Sequence, residues 1–207
     1  MFRRRALVAM LAALIVTPLL AQAPKGWKMR VDRSTNASDP DAGGPIQFMQ
    51  MGSTLHAINP QAAVYWNPAN TATGTYTLKG TFTLMKPSGH TNYYGLVFGG
   101  ADLEGAKENY TYFMVAQDGT WLLKKREGEQ TNDVAKRAPN AAVKRPDAGG
   151  KSVNALEVRV GADKIDYAVN GTVVHSMPKA GTKTDGIYGI RVNHLLEVQI
   201  DGLSVTK

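Results

Sequence analysis

Cysteine is missing from all 207 residues, which excludes disulfides, thiolate metal sites, cysteine nucleophiles and attachment of a lipid to a lipoprotein cysteine. A fold without crosslinks must rest on its core, and a domain of ~150 residues already buries close to 70% of the surface its unfolded chain exposes. A long basic tract is missing too: beyond the first residues Lys124-Lys125-Arg126 is the one run of three, so a nucleic-acid backbone has nothing to follow and nucleic acid is not expected as a partner. There is no phosphate-cradling glycine fingerprint, no Gly-x-Ser-x-Gly elbow and, beyond the first residues, no amphipathic helix. Neither the 21 glycines nor the 10 prolines recur at a fixed period, which argues against a repeat solenoid.

What is present begins with Arg3-Arg4-Arg5, an apolar run from Ala6 to Val16, and then Thr17-Pro18-Leu19-Leu20-Ala21-Gln22-Ala23. A charged start, an apolar middle and a small-residue end make residues 1–23 a bacterial-type signal peptide, cut after Ala23 or, because Pro24 would strain that site, after Ala21. The run is shorter than the ~20 residues of a spanning helix and Pro18 interrupts it, so no stable membrane insertion is expected once the leader is removed. Its loss takes away three arginines and lowers the formal charge from +7 to a mildly basic +4. The expected location is the periplasm or the cell exterior.

Beyond residue 23 the pattern is that of strands. In Lys164-Ile-Asp-Tyr-Ala-Val-Asn-Gly-Thr-Val-Val174, Asn170-Gly171 sits between two β-prone runs, and both residues tolerate positive φ, as a two-residue type I′ hairpin requires. Tyr76, Leu78, Phe82 and Leu84 share one parity and Thr77, Lys79, Thr81 and Thr83 the other, the alternation of a half-buried strand. Further strands are read at 46–51, 54–58, 64–66, 93–100, 110–116, 120–126, 155–160, 165–169, 172–177, 188–192 and 196–205. Residues 24–45 read as a loosely held lead-in with Trp27-Lys-Met-Arg-Val31 as its one strand-like interruption, and 127–152 as a long loop. About a dozen strands joined by short turns predict an all-β, two-sheet antiparallel sandwich occupying 24–207 as a single domain.

The runs Asn154-Ala-Leu-Glu-Val-Arg-Val160, Lys164 to Gly171, Asp185-Gly-Ile-Tyr-Gly-Ile190 and Leu196 to Val205 resemble the concanavalin A-like lectin/glucanase superfamily. The likeness is nearest to its 3-keto-disaccharide hydrolase-like and laminin-G-like jelly-roll branches. It covers residues 93–207 best, and its motifs are mainly scaffold. The resemblance implies a curved jelly roll whose concave sheet carries saccharide sites. It does not imply catalysis: the Glu-x-Asp-x-[x]-Glu strand of the laminarinase-like members has no counterpart here. Asp102-Leu-Glu104 with Glu108 is the nearest acidic group; it departs from that motif in order and spacing, although an Asp-x-Glu on one strand face could meet the carboxyl separation of a retaining or inverting pair, and solvation of a loop is the better explanation.

Histidines 56, 90, 175 and 194 show no ligand spacing, so no metal and no cofactor are expected. Sugars pack their C–H faces on rings and offer hydroxyls to planar polar groups, which directs the search to Tyr, Trp, Arg and Asn. Tyr188, Ile190 and Val192 share a parity, leaving Gly189, Arg191 and Asn193 on the other face; Tyr93, Gly95, Val97 and Gly99 make a similar face. The candidate ligand-binding residues are therefore Tyr93, Arg191 and Asn193, with glycines leaving room for the ligand. Trp121 and Arg126 are candidate groove walls, although their parities oppose unless a bulge intervenes. Truncating Arg191 and Asn193 together is expected to remove binding with little change in melting. The reading is a lectin-like module for an oligo- or polysaccharide; a hydrolase or lyase of glycosidic bonds and a protein-binding sandwich are the alternatives. Two close carboxylates beside an aromatic on the concave face would favour the hydrolase; amides and arginine without such a pair would favour the lectin.

Overall fold

A computed structural model describes residues 24–32 and 41–207; the leader read at 1–23 lies outside the described residues. The described chain forms fourteen strands: β1 (Lys28–Val31), β2 (Gln47–Met51), β3 (Thr54–Asn59), β4 (Ala63–Ala72), β5 (Tyr76–Lys86), β6 (Tyr93–Ala101), β7 (Asn109–Ala116), β8 (Thr120–Glu127), β9 (Gln130–Pro139), β10 (Ser152–Val160), β11 (Lys164–Val169), β12 (Thr172–Pro178), β13 (Gly186–Val192) and β14 (Leu196–Thr206). They pair antiparallel into two seven-stranded sheets. The front sheet runs β1-β4-β13-β6-β7-β8-β9 and the back sheet β12-β11-β10-β5-β14-β3-β2. No helix occurs among the described residues.

Alternation decides which side chains meet between the sheets. Leu78, Phe82 and Leu84 of β5 point inward with Leu156 and Val158 of β10 and Tyr167 of β11. They meet Tyr65, Tyr94, Leu96, Phe98, Phe113, Leu123 and Ile190 of the front sheet. Their opposite-parity neighbours Thr77, Thr81 and Thr83 are half-buried and Lys79 is exposed, so the outer face of the back sheet is wet.

The hairpin turn holds as expected, with Asn170 at φ 50° and Gly171 at φ 83°. Asn170 does more than turn the chain. Its Oδ1 accepts from the Ala155 amide at 2.9 Å and its Nδ2 donates to the Ala142 carbonyl at 2.8 Å. Asn154 completes the tie: its Oδ1 accepts from Lys144 N at 2.9 Å and from Asn170 Nδ2 at 2.9 Å. The two asparagines of the scaffold motif thus fasten the 140–144 turn to the back sheet.

One stretch departs from the sequence reading. The 127–152 segment contains β9, a ten-residue edge strand paired to β8 through two register shifts. Its exposed polar composition, bent by those irregularities, left no alternation to read. The strand-like interruption of the lead-in does form a strand, Lys28–Val31, which pairs with Ala63–Trp66 in register.

Candidate functional site

The outer face of the front sheet is where the candidate residues gather. Register sets Arg191 of β13 opposite Val64 of β4 and Gly95 of β6, Gly95 opposite Met114 of β7, and Met114 opposite Leu122 of β8. The next row is Trp66, Gly189, Val97, Tyr112 and Lys124. Val64, Trp66, Val97, Tyr110, Tyr112 and Met114 form a second buried cluster, separate from the core, on which Leu103 of the β6–β7 loop also sits.

This face is concave. Neighbouring strands lie about 4.8 Å apart, so a flat sheet would separate β1 from β8, five positions away, by roughly 24 Å. Asp32 follows β1 directly and stays at that edge through its amide bond to the Ala62 carbonyl at 2.8 Å. Yet its Oδ1 lies 3.0 Å from Nη1 of Arg126 on β8. One aspartate and one arginine cannot span a flat sheet, so the two edges curl toward each other.

The contact belongs to a clasp across the hollow. Asp32 Oδ2 pairs with Arg191 Nη1 at 2.5 Å, Glu108 Oε1 with Arg126 Nε at 3.1 Å, and Glu108 Oε2 with Arg30 Nε at 3.2 Å. Arg191 Nη1 also donates to the Tyr110 hydroxyl at 3.0 Å, and its guanidinium stands 5.2 Å from the centre of the Tyr112 ring. Burial opposes ionisation of Asp32, but Arg191 and Arg126 outweigh it and hold its pKa below the usual carboxylate value. For Glu108 burial wins over Arg30 and Arg126, and nearby Asp32 adds to it, so its pKa is raised. Burial also pushes the Tyr110 hydroxyl up to about 12, against the pull of Arg191. Arg191 stays firmly protonated, since Tyr110 and Asp32 more than offset the effect of its burial.

Tyr93 and Asn193 stand at one rim of the hollow. The Asn193 amide donates to the Tyr93 carbonyl at 2.9 Å, and the Tyr93 hydroxyl shares a 3.0 Å hydrogen bond with Thr120 Oγ1. Arg137 lies over the Tyr93 ring at 5.8 Å and pairs with Asp118. Two polar atoms along this strip, Arg191 Nε and Asn193 Oδ1, are buried without a hydrogen-bond partner.

Of the five sequence candidates, Arg191, Arg126, Tyr93 and Asn193 thus share the hollow or its rim. Trp121 does not. It points into the core, 6.3 Å from the Phe113 ring and 5.2 Å from that of His175, because the ladder of β8 with β7 runs without a shift and keeps Trp121 and Arg126 on opposite faces. The expected role of the glycines is also corrected. A Cβ on Gly95 would overlap the Phe113 carbonyl, and one on Gly189 the Tyr65 carbonyl, so these glycines admit a neighbouring backbone rather than a ligand. Asp102 structures its own loop, its Oδ2 accepting from Lys107 N at 3.1 Å, and Glu104 makes an exposed pair with Lys28. Asp32, Arg30, Tyr110 and Tyr112 were missed. Tyr110 and Tyr112 share the outward parity of Met114, a signal readable in sequence, whereas nothing local marks Asp32 or Arg30 as reaching across the sheet.

No protein-family model matches the chain, and no curated protein matches it. Solved structures do. The carbohydrate-binding module CBM66 from Bacillus subtilis superposes with a TM-score of 0.62 at 12% identity, covering 88% of this chain and 96% of that one. The fold is a concanavalin A-like jelly roll. A Bacillus subtilis protein of unknown function with a galectin-like fold gives a TM-score of 0.58 at 14% identity, over 87% of this chain and 89% of that one. Bacillus licheniformis beta-glucanase gives 0.57 at 11% identity, over 90% and 94%. At such identities the likeness is one of jelly-roll architecture, shared by a binding module and a hydrolase alike.

Proposed function

We propose that the protein is an exported saccharide-binding module whose ligand lies along the strip from Arg191 to Asn193 in the hollow of the front sheet. One observation carries this reading. Arg191 Nε is a buried donor and Asn193 Oδ1 a buried acceptor, both without hydrogen-bond partners and two residues apart on one face. Buried polar groups in folded proteins are paired almost without exception, so each unpaired one, His56 Nδ1 of the back sheet included, calls for a partner such as a ligand or an ordered water. A sugar hydroxyl both donates and accepts. Rings flank the strip, Tyr112 beside Arg191 and Tyr93 at the rim, each with an arginine guanidinium against it. The jelly-roll fold of a carbohydrate-binding module is consistent with the reading. Export rests on the leader pattern of residues 1–23, and N-terminal sequencing of protein recovered from periplasm and medium tests it.

One observation favours a second reading. Asp32 and Glu108 meet on Arg126 in a ring-lined hollow, and their pKa values move in opposite directions, which is how an acid and a base are set apart in glycoside hydrolysis. Both carboxylates are already neutralised by arginines, and for that reason binding without turnover is preferred.

The test is an array of neutral and acidic glycans, with mass detection of products. Arg191→Lys keeps the charge beside Asp32 and removes Nε–H, while Asn193→Ala removes the acceptor. Each is expected to weaken binding about tenfold, the worth of a hydrogen bond to a charged or buried group, with the melting temperature close to wild type. Binding unchanged in both variants would remove the strip from consideration, and cleaved product would transfer the proposal to the second reading.

A further inference from the structure

The clasp across the hollow does not balance. Among the described residues it gathers three guanidiniums, of Arg30, Arg126 and Arg191, against two carboxylates, of Asp32 and Glu108. Both oxygens of each carboxylate are already engaged, those of Asp32 by Arg126 and Arg191 and those of Glu108 by Arg126 and Arg30. The pairs at the margin, Lys28 with Glu104 and Lys124 with Asp133, lie at the surface and cancel. One positive charge is therefore left over in a net whose Glu108 and Arg191 are buried. An unmatched charge withdrawn from water is costly, and an anion that arrives with the ligand removes the cost.

The unused hydrogen bonds lean the same way. Arg191 meets Asp32 and the Tyr110 hydroxyl through Nη1, while Nε, on the edge of the guanidinium shared with Nη2, has no partner. Such an edge presents two parallel N–H groups, the geometry that a planar carboxylate accepts. The Tyr110 oxygen accepts from Arg191, so its own hydrogen is left to give, and burial, which pushes this hydroxyl up to about 12, keeps the hydrogen in place at neutral pH. Against these donors the strip offers one unpaired acceptor, Asn193 Oδ1. A neutral sugar would satisfy that acceptor with a hydroxyl but leave the charge unmatched.

We infer that the ligand of the hollow is an acidic saccharide, whose uronic acid unit sets its carboxylate against the Nε edge of Arg191 while a neighbouring hydroxyl reaches Asn193. The inference rests on the saccharide reading above and adds the ligand's charge to it. One carboxylate brings one negative charge and evens the net. The Tyr112 ring against the guanidinium, with Val64 and Gly95 on the flanking strands, holds Arg191 in place before the ligand arrives. Glu108 sets the size of the surplus, because its loss of charge would raise the excess by one more, and burial already favours its neutral form.

The experiment is calorimetric titration of the purified full-length protein with short oligomers of galacturonate, glucuronate, mannuronate and guluronate, each beside the same oligomer with its carboxyls reduced to alcohols. At least one uronate should bind about tenfold or more tighter than its reduced form, as a charge-assisted hydrogen bond implies. That preference should shrink as salt rises from about 50 to 300 mM. Arg191→Lys keeps the charge but not the edge, and should lose most of the preference. Glu108→Gln should strengthen the uronate about threefold or more and leave the reduced form as it was, because it removes a charge that opposes the ligand's. A role of Glu108 in folding alone would shift both forms alike. Uronate and reduced forms binding within about threefold of each other overturn the inference and leave saccharide binding standing. If no oligomer of either kind and no glycan of the array binds, the saccharide reading falls with it. Oligoglutamate binding as tightly as the best uronate also overturns the inference, since the hollow would then select charge and not sugar.

Discussion

The outer faces of the two sheets are opposites. On the back sheet, Thr77, Thr81 and Thr83 of β5 with Glu157 and Arg159 of β10 stand half in water, and these two strands alternate between wet and dry. On the front sheet β6 and β7 are buried along almost their whole length on both sides. A sheet face needs that treatment only where something other than bulk water lies against it. Here that includes a closed net of charges, with Asp32 and Glu108 among Arg30, Arg126 and Arg191. The back sheet is scaffold, and the front sheet spends stability on holding polar groups out of solvent.

The sharpest way to break this contrast is to make one substitution on both faces. Arg191→Ala removes a buried guanidinium and leaves Asp32 facing one fewer cation, so it should cost about 3–5 kcal/mol in urea unfolding, as loss of one partner of a buried pair does. Arg159→Ala on the back sheet breaks only a partly exposed pair with Glu157 and should cost less than about 1 kcal/mol. Equal costs would mean that the clasp is solvated and the two faces alike. The larger figure also replaces the sequence expectation that Arg191 could be truncated without affecting melting.

The same contrast explains what could be read from sequence. Tyr76 to Leu84 declared itself through alternation because one side of β5 is wet, and Asn170-Gly171 through its turn chemistry. Tyr110 to Ala116 gave away a strand but not its two-sided burial, since a continuous apolar run is silent about what covers it. Placing Arg191, Asn193 and Tyr93 on one surface needed only parity. Finding Asp32 needed the curvature of the sheet, a product of long-range pairing that no local pattern records.

A second comparison concerns two strand glycines. Gly95 lies in the middle of the front sheet, and an added methyl would overlap the backbone of Phe113 and Met114. Gly95→Ala should therefore cost about 1–3 kcal/mol, the toll of overpacking where backbone must move. In the back sheet an added methyl on Gly80 comes only to 3.3 Å from the edge of the Phe82 ring, which can shift. Gly80→Ala should stay within about 1 kcal/mol of wild type, the strain set against the entropy lost from the unfolded chain. If Gly95→Ala unfolds at the same urea concentration as Gly80→Ala, room for the neighbouring backbone is not what the glycine provides.

The smallest effect expected is in acid, where the clasp should give the front sheet a pH signature that the back sheet lacks. Asp32 has a folded pKa below its ordinary 3.8, because Arg191 and Arg126 outweigh the burial that opposes its charge. The unfolded chain takes up this proton first, so the contribution of Asp32 is complete above that value and drains away as pH falls through the folded pKa. Glu108 moves the other way. Its folded pKa lies above 4.5, chiefly through burial, so the folded protein holds the proton more tightly, and the stabilisation present below 4.5 is lost as pH rises through the folded value. Urea midpoints measured from pH 3 to 7 should thus lose their acid limb in Asp32→Asn and their decline above pH 4.5 in Glu108→Gln. On the back sheet Asp166 is also held low, first by the Ser176 hydroxyl and then by Lys164, but it lies at the surface, where water screens it. Asp166→Asn should leave the curve where it was, and a Glu108→Gln profile parallel to wild type between pH 4.5 and 7 would show that the buried net does not titrate with folding.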